Sequence, residues 1–167
     1  MPPEFDLIAE ARRNWERHAF GEGDAMEAAT SIARAHQVVM AAADRALAPF
    51  GLTFSRFEAL ALLHFSRRGA LPMGRVGARL QVHATSVTTL VDRLERDGLV
   101  RRVPAAGDRR SVLAQITDRG REVVPRAAEA LAAVRFGLAG VDEGEVRAVA
   151  TSLRAVRRAA GDLPPAT

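Results

Sequence analysis

One stretch limits the folds open to this chain more than any other. It runs from His83 to Gly98 and reads HATSVTTLVDRLERDG. Val87, Leu90, Val91 and Leu94 recur at i, i+3, i+4 and i+7, the spacing of one apolar stripe on a helix. A strand would alternate with period two, and this stretch does not. The opposite side carries Thr85, Thr89, Asp92 and Arg96, flanked by Ser86 and Arg93. All of these except Asp92 can donate a hydrogen bond, and the two arginines carry fixed positive charge. The many β-branched residues give poor intrinsic helix propensity, so a helix here is held by packing. Gly98 stands where a left-handed C-terminal cap belongs. Short donors at the helix start, with arginines further along, suit the edges of base pairs in a major groove. An ordinary amphipathic helix with a solvated polar face has the same pattern.

The segments around this stretch give it a setting. Upstream, Pro72 opens a short helix, PMGRVGARL, with Met73, Val76 and Leu80 inside. Gly74 and Gly77 weaken it, and the missing side chain at Gly77 lets another helix cross closely. Gln81 and Val82 then form a turn before residue 83. Two helices joined by so short a turn cross steeply, which is the helix-turn-helix arrangement. Downstream, Leu99–Val103 and Ser111–Ile116 are β-rich runs around PAAGDRR, with Pro104 and Gly107 as turn signals. This predicts a hairpin whose tip or return holds Asp108, Arg109 and Arg110, with Arg101 and Arg102 adding charge to the first strand. A hairpin directly after a helix-turn-helix is a wing. Arginine on a wing can enter a narrow minor groove, where negative potential concentrates; a solvated turn with an Asp-Arg pair is the plainer alternative.

The remaining segments read as helices. Residues 5–20 make a short one, with Phe5, Ile8 and Trp15 on one side, and Gly21 and Gly23 break it. Asp24 caps a long helix from about Ala25 to Leu47, ended by Ala-Pro-Phe-Gly at 48–51. Thr53 caps the next, which Gly69 stops. Thr117 caps a helix reaching to Leu138, in which Pro125 introduces a kink or displaces the start. Asp142 and Glu145 form a capping pair for a last helix that ends near Ala160. The tail 162–167 is expected to be disordered.

Composition excludes several classes. The 167 residues suffice for one domain or two small ones with a real core. No apolar run is long enough to span a bilayer, and the N-terminus is not signal-like, so no membrane partner is expected. There is no cysteine, which rules out disulfides and thiolate metal sites and fits a reducing cytoplasm. There is no H-E-x-x-H and no Gly-rich phosphate loop, and His18, His36, His64 and His83 lie in separate segments. An enzyme, a metal site and a cofactor are therefore not expected. The net charge is +4 and every basic side chain is arginine, the residue that grips phosphate with a rigid fork. Codon bias accounts equally well for the arginine-only composition.

Three segments resemble the MarR family of bacterial transcription regulators: GLTFSRFEALALL at 51–63, VHATSVTTLVDRLERDGLVRR at 82–102, and DRRSVLAQITDRG at 108–120. The resemblance runs from about residue 25 to 160. It implies a mainly α fold (an α+β winged helix) in three parts. Residues 1–50 and 117–161 would form a helical dimerisation region, and 51–116 the winged helix-turn-helix domain. It also implies a homodimer on double-stranded DNA, at a pseudo-palindromic operator, acting as a repressor whose DNA affinity falls when ligand binds. By the same resemblance, Thr85, Ser86, Thr88, Thr89 and Arg93 would read bases. Arg109 and Arg110 would be the wing arginines, and Asp108 the wing acid that orients one of them. His83 stands where the family usually has a capping serine, and Gly77 where it usually has alanine. The extension with Trp15 is similar to the urate-responsive branch, which favours an aspartate where this chain has Glu58.

In the family the ligand sits between the dimer base and the winged domain. By segment, Trp15, His18, His36, Phe57 and His64 are the candidates, and a small aromatic or phenolic anion is the expected effector. Each has a structural alternative: Trp15 as an anchor for the first helix, His36 and His64 as packed histidines. A winged helix can also serve as a protein-docking module. That reading predicts neutral or acidic residues on the outer face of 83–98, where arginines and threonines stand instead.

Overall fold

The computed structural model describes residues 4–105 and 108–164, apart from the side chains of 108–110. Helix α1 (Leu7–Arg17) is capped by Asp6, whose carboxylate accepts from the Ile8 and Ala9 amides at 2.9 and 3.2 Å. Gly21, at φ +116°, turns the chain into α2 (Gly23–Leu47). The expectation of Asp24 as the cap is corrected. Glu22 holds that position without a side-chain bond, and Gly23 is the first helical residue rather than a breaker. Arg12 explains the early start. It reaches Asp24 at 2.6 Å, Glu27 at 2.7 Å and Glu16 at 3.1 Å, drawing the first turn of α2 against α1.

A short 3-10 turn at Ala48–Phe50 and Gly51, at φ +68°, end α2 as expected. Thr53 caps α3 (Phe54–Phe65), and Asp44 adds a second acceptor, 2.7 Å from the Phe54 amide. A strand follows that residue patterning had not indicated: β1 (Ala70–Pro72). Three residues are too few to show a period, and Pro72 belongs to this strand and caps the next helix instead of opening it. Then come α4 (Met73–Leu80), α5 (Ala84–Arg96), β2 (Val100–Ala105) and β3 (Asp108–Ile116). The sheet is antiparallel in the order β1-β3-β2, and the register pairs Leu71 with Ala114 and Arg102 with Ala114. The wing strands are longer than expected, so the backbone of 108–110 lies in the returning strand.

Helix α6 (Asp118–Ala133) starts at its Thr117 cap and runs through Pro125, which therefore does not displace its start. It stops short of the expected Leu138. Arg135 and Phe136 adopt positive φ of 47° and 54°, and Gly137 has φ +87°. The reason is tertiary. This turn brings Phe136 edge-on to Phe54, with centroids 6.4 Å apart, and fits Gly137 against Val39 and Ala42. Asp142 caps α7 (Glu143–Ala159) through the Gly144 and Glu145 amides. Asp162, placed in the expected disordered tail, accepts from Gln81 and from Arg157 Nε.

One core unites α3, α4, α5, the sheet, α6 and the end of α2. Leu47, Leu60, Leu63, Val76, Val87, Val91, Leu94 and Leu131 are all fully buried in it. Neither α1 nor α7 has a buried residue.

Candidate nucleic-acid interface

The turn between α4 and α5 is built locally. Gln81 takes a left-handed conformation at φ +55°, and the Val82 amide donates to the Gly77 carbonyl at 3.1 Å. A Cβ on Gly77 would lie 3.0 Å from Val87 Cγ2, so the expected close crossing occurs there, between α4 and α5. Val87, Val91 and Leu94 of α5 are buried, and Leu90 is half-buried. Gly98 has φ +71°, the left-handed position that follows the Asp97 cap. The helix is thus clamped along one stripe, which leaves the other side free.

Thr85, Ser86, Thr88, Thr89 and Arg93 are all exposed on that free side. Thr85, Ser86 and Thr89 also line an open depression of 470 Å³ with Ser55, Val82 and Leu90. The hydroxyls of Thr88 and Thr89 donate back to the Ala84 and Thr85 carbonyls, each at 3.1 Å. Such back-bonding is a common alternative for threonine inside helices. In this state both residues present a methyl group and acceptor lone pairs, whereas the sequence pattern suggested donors. Arg93 and Arg96 form no ion pair with a described residue. Asp92 and Glu95 do, and both pair with Arg102 of the wing, at 2.6 and 2.5 Å. Arg102 stands in the first wing strand as expected, and its charge is engaged by two carboxylates of α5. Arg101 lies on the other side of the strand and donates from Nε to Gln115 at 2.9 Å.

The side chains of Asp108, Arg109 and Arg110 lie outside the described residues. Their backbone opens β3, with Asp108 opposite Ala105 just past a register irregularity at 104–105.

The five ligand candidates are not brought together within the chain. Trp15 meets Phe20 edge-on at 5.4 Å and His18 stacks on the same ring at 5.6 Å, so these two share one exposed cluster at the C-terminal end of α1. His36 is exposed on α2. Phe57 is a core residue, 8% exposed. His64 is half-buried at the end of α3, edge-on to Phe65, and its Nδ1 is buried without a hydrogen-bond partner among the described residues. On α3, desolvation pushes the Glu58 carboxyl above its ordinary range.

Two groupings escaped the sequence reading. One is the Arg102–Asp92–Glu95 cluster. The other is a depression of 660 Å³ where Arg56, Arg96, Arg119 and Arg126 converge beside Pro49 and Phe50. Arg126 lies 5.8 Å from the centre of the Phe50 ring, and Arg56 is 3.5 Å from Asp97. These arginines come from three helices and carry no shared spacing, so only the fold could reveal their convergence.

Together, the paired helices, the hairpin after them and the outward polar face of α5 define a winged helix-turn-helix protein. Comparison with known proteins narrows this class. The model of the MarR family matches residues 50–111. The crystal structure of Sco5413, a MarR family transcriptional regulator from Streptomyces coelicolor, is 50% identical with a TM-score of 0.78, over 84% of this chain and 97% of that one. The chain therefore belongs to the MarR family of transcriptional regulators, a family of regulators and not of enzymes. Sco3205, from the same organism and solved in complex with DNA, is 26% identical with a TM-score of 0.69, over 83% of this chain and 87% of that one. The HTH-type transcriptional regulator PecS of Dickeya dadantii is 33% identical over 102 residues, which is 59% of this chain and 60% of PecS. The chain spans about three fifths of the length of the curated relatives it matches.

Proposed function

We propose that this protein is a cytoplasmic repressor that binds a pseudo-palindromic operator as a homodimer. In this reading α5 enters the major groove and the wing arginines Arg109 and Arg110 enter the flanking minor groove. Thr85, Ser86, Thr88, Thr89 and Arg93 read bases, and Asp108 orients a wing arginine. The observation that carries the reading is the division of α5. Its apolar stripe is buried, while its threonines, serine and arginines face outward, the arginines without an ion pair among the described residues. The DNA complex of Sco3205 supports it by kinship. Residues 1–50 and 117–161 serve as the dimerisation region. The effector is a small aromatic or phenolic anion that lowers DNA affinity.

Selection of bound fragments from random duplex DNA tests the reading. A two-fold symmetric consensus is expected, its half-sites one helical turn apart, roughly 34 Å. On that duplex, Arg110→Ala should weaken binding about tenfold or more while leaving the melting temperature in place, the size of one lost specific contact. Unchanged binding in a gel shift would remove the wing from the interface. The alternative is a protein-docking module, and it is distinguished by passage through DNA-cellulose without retention.

A further inference from the structure

We propose that Arg102 is a positioning residue that fixes the wing against α5, holding the major- and minor-groove contacts at one spacing without touching DNA itself. The proposal rests on the DNA-binding reading above, and it arises from a contact that reading does not use.

Arg102 is a residue of the first wing strand, and its guanidinium lies across two carboxylates of α5. Nη1 is 2.5 Å from Glu95 Oε2, and Nη2 is 2.6 Å from Asp92 Oδ1. The Arg102 backbone amide donates to the other Glu95 oxygen at 2.8 Å, and Nη2 also lies 3.5 Å from the Thr88 carbonyl. One carboxylate therefore holds the strand twice, by its backbone and by its side chain. Asp92 and Glu95 stand at i and i+3, which places them side by side on the helix. Glu95 lies on the flank next to the wing, and Asp92 borders the face that carries Thr85 and Thr89. Arg102 pairs with Ala114 in the hairpin register, so fixing β2 also fixes β3.

The geometry matters more than the charge. Two acids one turn apart are spanned by a flat, two-pronged cation, and lysine, a point charge, can meet only one at a time. The Arg102 side chain is 27% exposed, so water screens the pairs only in part. Partly exposed pairs contribute modestly to stability. What this cluster restricts is the angle between two elements that must meet the same duplex.

The test compares wild type, Arg102→Ala, Arg102→Lys, Arg110→Ala and the Arg102→Ala/Arg110→Ala double variant, all as full chains on the selected duplex. If Arg102 works through the wing, each single change lowers affinity about tenfold or more, and the double variant falls little further, since the two act on one contact. Arg102→Lys should bind as weakly as Arg102→Ala. Additive losses, full affinity in Arg102→Ala, or rescue by lysine would each overturn the proposal. Hydrogen exchange gives a readout that does not depend on DNA. Amides of 100–103, 105 and 111–116 should exchange faster in Arg102→Ala and Arg102→Lys, with α3 and α6 unchanged. Equal exchange would overturn the proposal even if wild type bound no duplex, an outcome that would separately end the DNA reading.

Discussion

Gly120 stands in the first turn of α6, where no side chain fits. A Cβ there would lie 2.3 Å from the Leu99 carbonyl oxygen and 2.7 Å from Ile116 Cγ1. Its neighbour Thr117 draws the same elements together: its hydroxyl donates to the Gly98 carbonyl at 2.8 Å and accepts from the Gly120 amide at 3.1 Å. Alanine is the better helix former by roughly 0.5–1 kcal/mol. The carbonyl is backbone and cannot swing aside, so the clash outweighs that gain. Gly120→Ala should destabilise the fold by about 3 kcal/mol, the upper part of the range for overpacking, measured by urea unfolding. In the sequence Gly120 was visible only as the last residue of DRRSVLAQITDRG. The reason for it is the close approach of a residue 21 positions earlier.

At the scale of the element, α5 is a helix that its own residues barely favour. Val87, Thr88, Thr89 and Val91 are β-branched, and Thr88 and Thr89 satisfy their hydroxyls on the helix itself. Its stability is therefore borrowed from the core, through Val87, Val91 and Leu94. Leu94 is fully buried. Leu94→Ala should cost about 2–5 kcal/mol, with loss of DNA binding at temperatures where wild type still binds. Circular dichroism followed in urea, beside a gel shift, checks both. The elements that patterning missed are short ones. β1 exists because β3 offers it a partner, and the turn at 135–137 exists because Phe136 finds Phe54.

At the scale of the molecule, the helices at the two ends stand apart from the core. Val149, Leu153 and Val156 of α7 are 50%, 37% and 53% exposed, and Ile32 and Val38 of α2 are 42% and 49% exposed. Apolar stripes of this kind fit the dimerisation role proposed for the two ends, because a second copy would remove them from water. Leu153→Asp should shift sedimentation from dimer to monomer. It should also lower the melting temperature, which in the wild type should rise with protein concentration. An unchanged dimer would exclude α7 from the interface. Trp15, His18, His36 and His64 belong to this scale too. Within one chain Trp15 and His18 share one place while His36 and His64 lie in others, and only assembly could bring all four together.

The residues of this chain determined by themselves where its main helices run, which stripe of α5 turns inward, and that a hairpin follows it. Those features follow from period and caps, which are local properties. Thr53, Thr117, Asp142 and Gly98 act as their types predict. Tertiary structure alone decided which charges remain free. Arg102 reads as one more cation beside Arg101, yet the folded hairpin sets it across Asp92 and Glu95, while Arg93 and Arg96 form no ion pair among the described residues. Periodicity assigns a side chain to a face, but the partner on that face comes from another element, and only packing brings the two within reach.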